Sequence, residues 1–315
     1  MRRIFSMFLA LALFFSASAC TSRRAETVNF FAMDTFMTIT AYGKNAKAAV
    51  EKAELVILDM AEQMNVADPD SLLSQMNKDT SISPSKEIDM VQVFARQASE
   101  LTDGAFDANI YPVVAAWGFL SGDYRIPEPQ ELEALLADKS MYDFGGIAKG
   151  YASDEAAGIM RTQDVKSALI ALGGNIYAIG KNPAGKPWGI AVQDPNDPFG
   201  YVGILNLADM AAVTSGGYQR FFEQDGKTYH HIIDPRTGYP AESGLISVTV
   251  VSKSGTLADA LSTGLFVLGR EQALEIWDNN RELFDLVLIE DSGELTITAG
   301  LVGRFESENN YEVAE

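Results

Sequence analysis

The sequence predicts an α+β fold built on antiparallel sheet, and three observations carry that reading. Helical periodicity is concentrated in the first half of the chain. Strand-like segments accumulate in the second half. Short turn signals, Asp225-Gly226 and Ser292-Gly293, join neighbouring strands into hairpins. A doubly wound sheet would instead alternate strand and helix throughout. With 315 residues, 47% of them apolar, the chain is long enough for a single large domain with a sizeable core, and no short-period repeat, low-complexity segment or linker divides it.

Residues 1–19 read as a signal peptide. Arg2 and Arg3 give a basic start, residues 4–15 form an apolar run too short to span a bilayer, and Ala17-Ser18-Ala19 are small. Cys20 follows directly and is the only cysteine, so no intramolecular disulfide can form. A cysteine at that point is the lipidated first residue of a bacterial lipoprotein; the alternative is plain secretion after cleavage behind Ala19. Residues 20–27 are then lipidated cysteine and tether, and the expected location is exported, lipid-anchored on the periplasmic or outer side of a bacterial membrane.

The folded domain is expected over residues 28–305. Residues 30–42, rich in aromatic and β-branched side chains, predict strands. Residues 44–65 predict a helix with Val50, Ala53, Ile57, Met60 and Met64 on one face. A turn at residues 68–71 follows, then a helix over 88–101 closed by Asp103-Gly104, an apolar stretch over 111–119 and a loop over 121–129. The small-residue run 150–160 predicts a helix packed closely on a sheet. Strands are expected at 168–172, 188–193, 201–207 and 211–214, a hairpin over 219–233 and a strand at 245–252. Helices at 256–268 and 270–278 and a last hairpin over 286–298 complete the domain. The acidic tail, 306–315, is expected to fray.

Formal charge is −19, and loss of residues 1–19 with Arg2 and Arg3 takes it to −21. That balance argues against nucleic acid as a partner and against docking on anionic lipid by charge alone. A phosphate ligand would need a local cation, a bound metal or oriented main-chain dipoles.

Four constellations carry possible chemistry. Asp143-Phe-Gly-Gly-Ile-Ala-Lys149-Gly places a carboxylate, two glycines and a lysine at an expected strand-to-helix turn, where N–H groups and a positive helix end suit a phosphate. It is not the Walker pattern, and its plain alternative is tight helix–sheet packing with Asp143 as a cap. Asp259 and Thr263, spaced i, i+4, offer two oxygens to a hard cation from one helix face; equally, Thr256 fits an N-cap with Asp259 as the acidic member of a capping box. Ser215-Gly216-Gly217 and His230-His231-Ile-Ile-Asp234-Pro-Arg-Thr-Gly238 supply hydroxyl, imidazole and turn chemistry, with either histidine open to a core role. Gly104-Ala-Phe-Asp107, running into Tyr111 and Trp117, reads as an aromatic core around a capping aspartate.

Taken in order, Met33-Asp-Thr, Gly104-Ala-Phe-Asp107, Asp143-Phe-Gly-Gly-Ile-Ala-Lys149-Gly, Thr214-Ser-Gly216, His231-Ile-Ile-Asp-Pro-Arg-Thr-Gly and Ala258-Asp-Ala-Leu-Ser-Thr263 resemble the ApbE family of FAD:protein FMN transferases, also described as flavin-trafficking lipoproteins. The resemblance runs from about residue 30 to 303. It implies a T-fold-like architecture of antiparallel sheets with packed helices, FAD as substrate and Mg²⁺ as cofactor. It implies transfer of FMN to a Thr or Ser hydroxyl of an acceptor redox protein, with release of AMP. Carried over, Met33, Ala105, Phe106, Asp107, Asp143, Lys149 and Ile233 would line FAD, with Ser215 and Gly216 flanking the nucleotide. Gly146, Asp259 and Thr263, with Ser262 close by, would hold the metal. His231 or Asp143 would accept the acceptor's proton, with Lys149 as a nearby cation.

Three departures qualify the resemblance. The family pattern after Met64 carries a tyrosine that stacks on the flavin, where this chain has Ala67. Gly217 replaces an aspartate, and Asp34 replaces a glycine. Ala67 keeps open a Mg²⁺-dependent FAD pyrophosphatase giving FMN and AMP, and a non-catalytic flavin-binding lipoprotein is the reading from another class.

Overall fold

The computed structural model describes residues 24–315. The signal peptide, Cys20 and the first part of the tether lie outside the described residues.

The chain opens with a hairpin of β1 (Ala25–Ala32) and β2 (Thr35–Tyr42). Its two-residue turn, Met33-Asp34, has positive φ at both positions, 47° and 58°, the twist that a tight antiparallel hairpin requires. The first strand begins at Ala25, ahead of the strands expected from residue 30 and three residues before the expected domain start at Val28. Helices α1 (Ala46–Met64), α2 (Leu72–Lys78), α3 (Lys86–Leu101), α4 (Tyr111–Ala116), α5 (Pro129–Leu136) and α6 (Ala148–Thr162) follow. The five apolar residues of the α1 face are all buried, as the 3.6-residue period requires. The short helices α2, α4 and α5 have no counterpart among the helices the sequence predicts, being too short to show a period.

The second half is mostly sheet: β3 (Ser167–Leu172), β4 (Asn175–Gly180), β5 (Trp188–Asp194), β6 (Asp197–Leu207), β7 (Met210–Gly216), β8 (Phe221–Gln224), β9 (Lys227–His230) and β10 (Leu245–Ser252). Helices α7 (Gly255–Leu268) and α8 (Arg270–Asp278) precede β11 (Phe284–Glu290), β12 (Leu295–Thr298), β13 (Phe305–Glu306) and β14 (Glu312–Ala314). β4 was not anticipated; it pairs with β3 across Gly173-Gly174. The tail does not fray as expected: β14 adds a parallel strand beside β12, and Arg270 reaches Glu312 at 2.5 Å.

Nine strands form the main sheet in the order β1-β2-β3-β4-β7-β10-β11-β12-β14, and β13-β6-β5 and β8-β9 form two smaller sheets. All pairings in the main sheet are antiparallel except the last. The largest core fills the space between one sheet face and the helices α1, α3, α6 and α7. A second core, including Ile190, Leu205, Val251, Ile297 and Phe305, joins the other face to the small sheet. A third is separate: Val113, Trp117, Phe119, Leu132 and Ile233 join α4, α5 and the β8-β9 hairpin into a small lobe. The result is the expected mixed α+β domain.

Candidate active site

The first wall of the site comes from α6, α7 and β7. Ser254, not Thr256, caps α7, accepting from the Leu257 N–H at 3.2 Å. Asp154 of α6 locks that end in place. It accepts from the Gly255 and Thr256 N–H groups at 2.7 and 3.0 Å and from the Ser254 and Thr256 hydroxyls at 3.0 and 2.7 Å. The two helices touch at Gly150, where an added Cβ would lie 2.2 Å from the Gly255 carbonyl and 2.6 Å from Asp259 Cβ. This approach lets the Gly150 N–H donate to Asp259 Oδ2 at 2.8 Å. Asp259 is therefore not a capping-box residue of its own helix. It is a carboxylate 4% exposed, held through one oxygen by the neighbouring helix. No donor among the described residues reaches its Oδ1.

Oxygens gather beside it. Ser262, fully buried, donates to the Asp259 carbonyl at 2.8 Å. Ser215 on β7 lies 2.8 Å from the Ser262 hydroxyl and 3.3 Å from that of Thr263. Gly146 faces the same point: a Cβ there would meet Thr263 Oγ1 at 3.3 Å and the Phe106 ring at 3.2 Å. The structure thus brings together the four residues expected at a metal, with Ser215 as a fifth.

The Asp143–Lys149 turn follows a loop rather than a strand, because α5 and an irregular segment precede it. Asp143 does not cap α6. Its Oδ1 accepts from the Gly145 N–H at 2.8 Å, closing a local turn, and its own N–H donates to the Ala108 carbonyl at 2.8 Å. Burial pushes the Asp143 carboxyl up, opposed by the Gly145 N–H and by the charges of Lys149 and Arg220. Lys149 Nζ donates to the Gly145 carbonyl at 3.2 Å.

The opposite wall is the small lobe. The two histidines that the sequence left open are separated by their hydrogen bonds. His230 uses both ring nitrogens on main chain: Nε2–H donates to the Ala241 carbonyl at 3.0 Å and Nδ1 accepts from the Ile232 N–H at 3.2 Å. It is a structural histidine. His231 donates through Nδ1–H to the Arg220 carbonyl at 3.1 Å, and its own main-chain N–H reaches the same carbonyl at 3.1 Å. Since a carbonyl only accepts, Nδ1 carries the proton and Nε2 keeps a free lone pair. Burial holds the ring at about 4, below its usual 6.5, with the charges of Arg220 and Lys149 acting in the same direction, so the ring is neutral at pH 7.

The turn after His231 is rigid. Asp234 accepts from the Arg236 N–H and Nε at 2.9 Å each and from its Nη2 at 2.9 Å. Trp117, fully buried, donates its indole N–H to the Gly238 carbonyl at 2.7 Å and so ties α4 to this turn.

The remaining expected residues are spread around these walls. Ala105 and Phe106 are buried, and Phe106 stands beside Gly146. Asp107 pairs with Lys139 at 2.8 Å and accepts from the Asn109 N–H at 2.8 Å. Met33 sits in the β1–β2 turn, and Gly216 ends β7 against the Tyr218 ring. Ile233 buries its side chain with Trp117 in the third core, which leaves its main chain as the part able to face a ligand. Ala67 is exposed in the turn before α2, its N–H on Asn65 Oδ1 at 3.2 Å. Sequence reasoning missed Asp154, which shares a helix face with Gly150, and gave Arg220 no role; Trp117 takes the aromatic-core place expected of it.

The donor set fits a hard divalent cation. Among the described residues no three His, Cys, Asp or Glu side chains gather, so a cation here would rest on one carboxylate with hydroxyl and main-chain oxygens. That is the composition found around Asp259, and its free Oδ1 is the one strong ligand left unused.

Comparison with known proteins gives a consistent result. The profile of the ApbE family matches residues 33–287. The FAD:protein FMN transferase of Haemophilus influenzae is 30% identical, covering 94% of this chain and 96% of that protein. The FAD:protein FMN transferase of Vibrio cholerae is 32% identical over 79% of this chain and 82% of its own. Among solved structures, the ApbE protein of Thermotoga maritima superposes with a TM-score of 0.81 at 30% identity, covering 89% of this chain and 99% of that one. The flavin transferase ApbE of Vibrio cholerae gives 0.78 at 29% identity, with 89% and 99% covered.

Proposed function

The chain belongs to the ApbE family, and from that premise we propose that it transfers FMN from FAD to a Thr or Ser hydroxyl of an acceptor redox protein, releasing AMP. The observation that carries this reading is the oxygen cluster around Asp259, whose Oδ1 is unused among the described residues, accompanied by a neutral His231 with a free Nε2 on the segment after β9. A flavin store would need neither.

Roles follow from the chemistry of each group. His231 Nε2 accepts the proton of the acceptor hydroxyl, and the Arg220 carbonyl holds the ring in the tautomer that leaves Nε2 free. Asp143, whose carboxyl is pushed up by burial, is the second candidate for that proton. Lys149 offers positive charge to the diphosphate. Asp259, Thr263 and the Gly146 carbonyl, with Ser262 beside them, would hold Mg²⁺, which supplies charge neutralisation at the diphosphate when bound.

One observation favours a second reading, Mg²⁺-dependent hydrolysis of FAD to FMN and AMP. Ala67 is exposed and offers no ring to the flavin, so FAD would be held less tightly and water would compete with the acceptor hydroxyl. We also propose export and lipid anchoring at Cys20. Among the described residues no helix is long and apolar enough to cross a membrane, so attachment would rest on the acyl chains.

The deciding experiment incubates the chain from residue 21 with FAD and Mg²⁺, with and without a Thr-containing acceptor domain. Acceptor mass increased by FMN less one water supports transfer. Free FMN and AMP without acceptor support hydrolysis, and intact FAD in both samples refutes both. For location, Cys20→Ser should move the protein from the membrane fraction to the soluble one; an unchanged distribution would count against the anchor.

A further inference from the structure

We propose that Arg220 binds the phosphates of the nucleotide directly, forming with Lys149 a two-cation clamp across the cleft, and that Asp34 competes with the nucleotide for it. The inference rests on the FAD reading above and names a side chain that this reading leaves without a role.

The geometry gives Arg220 its place. Its carbonyl holds the His231 ring, so its Cα is fixed beside the expected reaction centre. Its guanidinium is not committed elsewhere. One nitrogen donates to the Phe119 carbonyl at a long 3.4 Å, and another approaches Asp34 Oδ2 at 3.7 Å. The side chain stays 40% exposed and that of Asp34 79% exposed, so the ion pair is open to water and weak. Five donors in a planar fork, loosely held at both contacts, are suited to phosphate oxygens.

The charges around it point the same way. The charges of Arg220 and Lys149 both bear on the Asp143 carboxyl and on the His231 ring, and Lys149 is itself held by the Gly145 carbonyl at 3.2 Å, in the turn that Asp143 closes. Elsewhere the chain is strongly acidic, with 43 carboxylates against 24 lysines and arginines. A diphosphate approaching it needs a local cluster of positive charge, and these two residues supply one. Asp34 has a specific effect here. It holds φ at 58°, a conformation in which glycine carries no strain, and it is the only side chain with which Arg220 forms an ion pair among the described residues. Its carboxylate is thus a built-in competitor for the guanidinium.

The test measures binding rather than turnover, by quenching of flavin fluorescence with the chain from residue 21, using FAD and riboflavin as probes. Arg220→Met should weaken FAD by about tenfold to a hundredfold, the range of one charge-assisted hydrogen bond, and leave riboflavin, which has no phosphate, unchanged. Arg220→Lys should fall between. Asp34→Gly, which suits the turn, should tighten FAD by a few-fold, and only while Arg220 is present. Equal losses for FAD and riboflavin, or FAD binding by Arg220→Met equal to that of the parent, would overturn the proposal. A parent chain that binds neither probe would instead refute the flavin reading on which it rests.

Discussion

The two walls of the cleft are built by different means. The wall carrying Asp259, Ser262, Thr263 and Ser215 is part of the main core, where α6 and α7 approach so closely that Gly150 tolerates no side chain. The wall carrying His231 and Arg220 belongs to a small lobe whose core has five buried side chains, Trp117 among them. The first holds oxygens fixed by main-chain contacts between two helices. The second holds an imidazole on the Arg220 carbonyl and a guanidinium loosely on the Phe119 carbonyl, beside an aromatic cluster. A site that must keep ligand geometry constant while admitting a nucleotide and a protein loop gains from this division: the ligands stay rigid, and the groups that meet the incoming substrates sit on the lesser lobe.

The sharpest way to break the comparison is at the rigid wall. Asp259→Ala should lower turnover by about a thousandfold or more, through loss of the one carboxylate in the oxygen cluster. Binding of Mn²⁺, followed by its EPR signal, should disappear with it. Undiminished Mn²⁺ binding would move the metal away from this residue. The opposite wall should fail differently. Trp117→Ala removes a buried indole and its bond to Gly238, costing about 3–5 kcal/mol. Turnover should fall as His231 loses its support, yet Mn²⁺ affinity should hold, because the cation site does not depend on the lobe. Loss of both together would show that the walls are one cooperative unit.

A smaller effect separates His231 from its surroundings. Its ring is depressed to about 4 from 6.5, so between those values the unfolded chain takes up a proton that the folded chain refuses. The stability His231 contributes is complete above pH 6.5 and is lost as pH falls toward 4. His231→Asn should flatten the dependence of the melting temperature on pH in that window, leaving the part due to His230, whose ring burial also lowers. An unchanged slope would mean that the ring is not buried neutral. The smallest expected change is at Ala67→Tyr. A ring stacked on the flavin should tighten FAD by about 1 kcal/mol, roughly fivefold, and slow hydrolysis relative to transfer. No change in either would show that this turn does not approach the flavin.

The sequence made one wall more legible than the other. Asp259 and Thr263 could be read from an i, i+4 spacing, and the buried face of α1 from its period, because local repetition reports which side of a helix faces the core. The capping assignment at Thr256 failed for a tertiary reason: Asp154, more than a hundred residues away, satisfies the start of α7 and frees Asp259 for Gly150. The lobe was harder to read. His230 and His231 are adjacent, and only the carbonyls they meet, Ala241 and Arg220, tell them apart. β4 was overlooked although Gly173-Gly174 marks its turn, and α2 and α5 are too short for periodicity to show. Trp117 carries no local sign that its indole would secure a turn 121 residues further on.

The first strand sets a length. β1 spans eight residues, about 26 Å at ~3.3 Å per residue, from Ala25 to the Met33-Asp34 turn beside Arg220. With Cys20 lipidated as proposed, only Thr21 to Arg24 separate the acyl chains from that strand, at most about 14 Å of backbone. The tether end of the strand and its turn end then lie one strand length apart, so an enzyme anchored in this way would have a short reach. Acceptors would present their hydroxyl within about 40 Å of the bilayer, and proteins free in the surrounding space would meet the site only by coming to the membrane.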